Sequence, residues 1–189
     1  MGIALSLGSG SLDVTRPLTY VIYWKPSSAL ANGHAAMIID SSAYQGETNT
    51  DSMLKLFNDR DNYVSWMGGG GGANPLVRSG VAEDFDGDTQ VWKGRATGNR
   101  GRNLPSRWVA LKSLDIAAMR AEWDGIRNKP GGAHWKLIDK NCATVVARVL
   151  RAGGARSKSW GASHQLVWWP TDVIRYAASM KGYVYRKSW

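Results

Sequence analysis

Cysteine occurs once in the 189 residues, at Cys142, directly after Asn141 and ahead of Ala143-Thr144-Val145-Val146. Asn is a preferred N-cap residue, so this segment reads as the start of a helix with Cys142 in its first turn. There the backbone N–H groups without an intrahelical partner, together with the helix dipole, stabilise an anion. The relevant anion is a thiolate, the nucleophilic form of cysteine, and helix N-termini are among the places that favour it. The competing reading is a small buried hydrophobe, since free cysteine is among the most buried residue types. A lone cysteine forms no internal disulfide.

A thiolate nucleophile needs a general base, and the chain offers His34, His134 and His164. His134 stands shortly before Cys142 in a Gly-rich turn, with little chain for reaching back over the helix start. His164 lies in a polar stretch between Trp160 and Trp168. His34 opens an apolar strand directly after Gly33. That puts it at a sheet edge, where helix N-termini also pack.

These residues need a scaffold. The β-branched and aromatic run Leu18–Trp24 reads as a strand, as do His34–Asp40, Asn62–Met67, Thr89–Lys93 and Arg107–Lys112. Gly182–Arg186 reads as a last strand. Ser52–Asp59 reads as a short helix. Asp115–Arg127 carries Ile116, Met119, Trp123 and Ile126 at helical spacing. The cysteine helix places Val145, Val146, Val149 and Leu150 on one face and is closed by Gly153-Gly154. Pro170-Thr171 opens another helix, with Thr171 as its N-cap. Residues 1–16 read as a loosely ordered start, and Gly68–Gly72 as a flap or hinge. The sum is one α+β domain over residues 1–189 with a largely antiparallel sheet.

Composition sets the outer bounds. Hydrophobic residues make up 43% and charged residues 21%, which is close to the globular average and excludes a disordered chain. The 24 Lys+Arg against 15 Asp+Glu give a net charge of +9. That balance by itself favours anionic partners: nucleic acid, membrane surfaces or cell-wall polymers. No nucleic-acid motif is present, so nucleic acid is not an expected partner. No apolar run is long enough to span a bilayer, and the N-terminus lacks the features of a signal peptide. No Cys/His cluster calls for a metal, and no cofactor is expected. Asp84-Phe85-Asp86-Gly87-Asp88 lacks the later Gly and Glu of a calcium loop and reads as an acidic turn.

Gly33-His34 ahead of an apolar strand, followed far downstream by Asn141-Cys142 opening an apolar helix, resembles the circularly permuted papain-like cysteine enzymes. These include the NlpC/P60-like, LRAT-like and PPPDE groups, in which the histidine strand precedes the cysteine helix. Tyr63-Val64-Ser65-Trp66 is similar to the next strand of their bacterial toxin and effector members. Arg148-Val149-Leu150-Arg151-Ala152-Gly153-Gly154 is similar to the rest of their cysteine helix. The resemblance covers roughly residues 34–154 and implies a permuted papain-like fold with its antiparallel sheet against the cysteine-bearing helix.

It also implies roles. Cys142 is then the nucleophile and His34 the general base, with the Cys142 backbone N–H as oxyanion donor after the Asn141 cap. A polar residue on the neighbouring strand orients His34, and Ser65 is the choice. Asp40 lies about 20 Å away along its strand, too far to serve. Trp66 and Trp168 are expected to meet substrate. The implied activity is that of a thiol hydrolase cleaving an amide through an acyl-enzyme. The setting is a bacterial toxin or effector, held in the cytoplasm until it is exported or delivered to a target cell. Peptide, cell-wall or acyl substrates and an immunity protein are the corresponding partners. The alternatives are a cysteine acyltransferase or a deamidase using the same site, and a basic binding module without catalysis.

Overall fold

The structure is a computed structural model. It describes residues 18–26, 33–42, 59, 61–68, 77–82, 88, 105–129, 134–136, 140–155, 167–180 and 183–185. Eight strands are assigned among them: β1 (Leu18–Trp24), β2 (His34–Ile38), β3 (Tyr63–Val64), β4 (Trp66–Gly68), β5 (Val77–Ala82), β6 (Arg107–Lys112), β7 (His134–Lys136) and β8 (Tyr183–Tyr185). Three helices accompany them: α1 (Ile116–Arg127), α2 (Cys142–Ala152) and α3 (Pro170–Ser179). Five strands form one sheet in the order β3-β2-β1-β6-β8, and three form a second in the order β4-β5-β7. Every strand pairing is antiparallel. The domain is therefore mixed α+β, as the sequence indicates.

β1 is the central strand of the larger sheet. Its end sets the position of the histidine, because Trp24 pairs with His34 and Tyr23 with Arg107. All five residues of β2, His-Ala-Ala-Met-Ile, are buried. An unbroken apolar run of this kind, without alternation, belongs to a strand covered on both faces. One face joins Val21, Tyr23, Ala35, Met37 and Ile39 to the helices in the main core. The other gathers Ile22, Trp24, Ala36, Ile38 and Tyr63 into a smaller cluster.

α2 lies at the centre of the main core. Of its eleven residues, Cys142, Ala143, Val145, Val146, Ala147, Val149 and Leu150 are buried. α1 begins after Asp115, whose side chain accepts the Ala118 N–H as an N-cap. α1 also grips the turn ahead of β3. Arg120 bonds Asp40 and Asn62, each at 3.2 Å, and Arg127 bonds Asp61 at 2.8 Å.

Several elements differ from the sequence reading. The single strand expected over Asn62–Met67 is two short strands in two sheets, separated by Ser65. Val77–Ala82 and His134–Lys136 are strands that the hydrophobic pattern does not announce. β5 carries a glycine in mid-strand, which the sequence gives no reason to place in a sheet. The reason is spatial: a Cβ on Gly80 would collide with the indole of Trp66. α3 has its N-cap at Trp169 rather than Thr171. Pro170 takes the first helical position, where its missing N–H costs nothing, and Asp172 accepts the Trp169 N–H at 3.1 Å. The expected strand at Thr89–Lys93, the loose start at 1–16 and residues 69–72 of the glycine run lie outside the described residues. So does all of the expected helix over Ser52–Asp59 except Asp59.

Gly80→Ala is expected to cost about 1–3 kcal/mol, the usual penalty for overpacking a filled site. Urea denaturation of the variant beside the wild type measures it. An unchanged midpoint would show that Trp66 is free to move aside.

Candidate functional site

Gly33 makes the entry to β2 possible. Its φ of +75° is a left-handed conformation that glycine adopts without strain. A side chain there would strike the Trp24 carbonyl and Pro26. The chain therefore turns tightly against the end of β1 and delivers His34 as the first residue of the strand. The Trp24 indole flanks the imidazole with ring centroids 5.2 Å apart. His34 itself is 1% exposed.

A buried imidazole needs partners for both ring nitrogens. Nε2 lies 3.1 Å from Ser65 Oγ and 3.1 Å from Asp88 Oδ2. Ser65 donates its own hydroxyl to Asp88 Oδ1 at 3.0 Å, so its oxygen is left to accept from the imidazole. Tyr63 donates to Asp88 Oδ2 at 2.7 Å. Tyr63, Ser65 and Asp88 are all fully buried. Both carboxylate oxygens thus carry partners, as an acid removed from water requires. Cys142 acts on the same imidazole from α2, by charge and by hydrogen bond.

The electrostatics follow from this arrangement. Burial pushes the His34 pKa down. The Asp88 charge, the Cys142 charge and the hydrogen bonds to both together outweigh burial, and the pKa is pushed up to about 10. The imidazole is therefore cationic at neutral pH, held between a carboxylate and a thiol.

The cysteine end is fixed by Asn141. Its Oδ1 accepts the Thr144 N–H at 2.8 Å and the Thr144 hydroxyl at 3.2 Å. Its Nδ2 donates to the Trp168 carbonyl at 2.9 Å. One side chain caps α2 and also ties it to the segment leading into α3. Beside this cap, the backbone N–H groups of the first turn are donors that could meet an oxyanion. Cys142 is 9% exposed.

The structure thus brings His34, Ser65 and Cys142 together from three distant stretches of chain. Asp88 joins them; the other residues read as an acidic turn, 84–87, lie outside the described residues. Asp84, Asp86 and Asp88 look alike in the sequence; Asp88, the one of the three among the described residues, enters the site. Asp40, excluded by distance, faces Arg120 at the other end of β2. Trp66 and Trp168 are 1% and 2% exposed and belong to the core. Trp66 meets Trp123 edge-on, and Trp168 lies between Tyr176 and the Arg151 guanidinium. Packing accounts for both, and neither presents an open face to a substrate. His134 begins β7 in the smaller sheet, and His164 lies outside the described residues. Among the described residues no group of three or more His, Cys, Asp or Glu side chains is arranged to hold a metal ion. No described helix is long and apolar enough to cross a membrane.

A mixed α+β domain with a helix-terminal cysteine facing a buried histidine–carboxylate pair is the class that fold and site define. Comparison with known proteins adds a biological setting. Residues 105–186 match the family described as the IcsB middle domain. That span contains β6, all three helices and Cys142, but not His34, Ser65 or Asp88. The chain is also 38% identical over 76 residues to a Multifunctional-autoprocessing repeats-in-toxin protein of Vibrio vulnificus, and equally to one of Vibrio cholerae serotype O1. The matched stretch is 39% of this chain but only 1% and 2% of those two proteins. The similarity is to bacterial toxin sequence.

The raised His34 pKa has a consequence for stability. The folded state holds a proton that the unfolded chain releases above about pH 6.5. The stabilisation is therefore complete below that pH and is lost as pH rises through about 10. Unfolding free energies measured from pH 6 to 10.5 should fall with a slope of at most about 1.4 kcal/mol per pH unit from this group. In His34→Gln that component should be missing. Identical slopes in the two proteins would contradict a buried imidazolium.

Proposed function

We propose that this chain is the catalytic domain of a bacterial toxin or effector, working on a permuted papain-like fold by acyl transfer through a Cys142 thioester. The observation that carries the reading is the buried His34 imidazole held between Asp88 and Cys142. With Nε2 occupied by Ser65 and Asp88, Nδ1 is the nitrogen left to serve the thiol. His34 is then the general base and acid, and Asp88 is the residue that orients it, with Ser65 as an accessory.

The reaction runs in two halves. The Cys142 sulfur attacks the carbonyl carbon of the acyl donor and the C–S bond forms. The carbonyl oxygen becomes an oxyanion, which the backbone N–H of Cys142 is placed to meet. Collapse expels the leaving group, which takes a proton from His34, and a thioester remains. An acceptor then gives its proton to His34 as it attacks, and the thiolate leaves. With water as acceptor the enzyme is an amide hydrolase, the reading that the sequence puts first. With an amine as acceptor it is an acyltransferase. The low exposure of Cys142 and His34 favours the amine, because a thioester kept from bulk water survives until an acceptor arrives. The net charge of +9 suits work at an anionic envelope or membrane surface, and the toxin relatives suit export or delivery to a target cell.

Two measurements test this. Iodoacetamide alkylation of Cys142 should be fast near neutral pH and should slow by about tenfold or more in His34→Ala, as the thiolate fraction falls toward the few per cent of an unassisted thiol. Incubation with a long-chain acyl thioester should leave a covalent mass increment on Cys142, absent in Cys142→Ala. Discharge onto a lysine peptide identifies a transferase, and release as free acid identifies a hydrolase. Alkylation independent of His34, with no acyl adduct, would leave Cys142 as a buried thiol in a basic binding domain.

A further inference from the structure

Asp88 touches His34 through one oxygen, and that oxygen is shared. Oδ2 lies 3.1 Å from His34 Nε2 and receives the Tyr63 hydroxyl at 2.7 Å. Oδ1 is held by Ser65. Tyr63 does not belong to the set that meets a substrate. It sits on β3, fully buried beside Ile22, Trp24, Ala36 and Ile38. Its backbone is equally fixed, since Tyr63 pairs with Ile38 and its N–H bonds the Asp59 carbonyl at 2.7 Å. A rigid phenol at this distance from a carboxylate withdraws charge from the oxygen that faces the imidazole.

We propose that Tyr63 is a positioning residue of the catalytic site: its hydroxyl holds Asp88 Oδ2 against His34 Nε2 and limits how tightly that carboxylate grips the imidazolium. This rests on the acyl-transfer reading for its role in catalysis, but the electrostatic effect does not. A general base must release its proton as well as take one. A carboxylate with no competing donor would hold His34 cationic and block the half of the cycle in which the imidazole accepts a proton. The titratable groups acting on the imidazole are Asp88 and, from α2, Cys142. Tyr63 works through the first of these.

The effect has a sign in each direction. Tyr63→Phe keeps the ring and its packing but removes the donor. The His34 titration, followed by NMR of the ring nitrogens, should move upward by up to about one to two units, the full worth of one hydrogen bond to a charged group. The pH profile of Cys142 alkylation should change with it. Replacing Tyr63 by 3-fluorotyrosine strengthens the donor and should move the titration downward. In an Asp88→Asn background both changes should vanish, because the carboxylate through which Tyr63 acts is gone. Equal shifts in the two backgrounds, or a titration indifferent to both substitutions, would overturn the proposal. If Tyr63→Phe does not fold, the fluorotyrosine protein alone decides the sign. If the titration responds while no acyl adduct ever forms on Cys142, the acyl-transfer reading fails and the positioning role stands.

Discussion

Burying an ionised aspartate is costly unless every lone pair is used, and the site is organised around that constraint. Asp88 has no exposure to water and finds three partners: the Tyr63 hydroxyl, the Ser65 hydroxyl and the His34 imidazole. The donors come from the paired strands β2 and β3 and from the residue that follows β3. β2 supplies the imidazole, β3 the phenol, and the residue between β3 and β4 the hydroxyl. Ser65 therefore explains why one expected strand is two. The ladder is interrupted at the residue whose side chain enters the network, and the chain passes there from the larger sheet to the smaller one.

Helix α1 supports this from a distance. Arg120 and Arg127 hold Asp40, Asp61 and Asn62, the residues that frame the turn before Tyr63. These ion pairs lie largely at the surface, and such pairs contribute little to stability one by one. Their value is geometric, because they fix the start of the short strand that carries Tyr63 and leads into Ser65. Asn141 plays the matching part on the other side, where a single amide starts α2 and binds it to the chain entering α3. Cys142 and the Tyr63–Ser65 stretch are thus each anchored by polar side chains that lie outside the histidine–carboxylate network.

How much of this the sequence reveals depends on whether the cause is local. The N-cap at Asn141, the cysteine in the first turn and the three helices are read from neighbouring residues, because capping and helical periodicity act within one or two turns. His34 at a strand end after glycine is legible for the same reason, whereas Ser65 follows only from the resemblance to the permuted papain-like enzymes. Asp88 is not, because its environment is made by β2 and β3, far away in sequence, and nothing in an Asp-rich turn marks which carboxylate is buried. β5 escapes notice because its Gly80 answers to the volume of Trp66. Trp66 and Trp168 suggest substrate contact by type alone, yet an aromatic residue fills a core as readily as it lines a groove.

The match to the IcsB middle domain ends short of the histidine half of the site, which clarifies what β1 does. On one side β1 pairs with β6, inside the matched span. On the other it pairs with β2, which carries His34. The helices that hold Cys142 pack on this sheet through Val21, Tyr23, Ala35 and Met37. Residues 105–186 thus contain Cys142 but not the histidine that faces it. A cysteine at the start of a helix is by itself only a favourable place for an anion. It becomes a candidate nucleophile here because β1 brings a second strand alongside, and that strand presents a histidine already committed to a buried carboxylate.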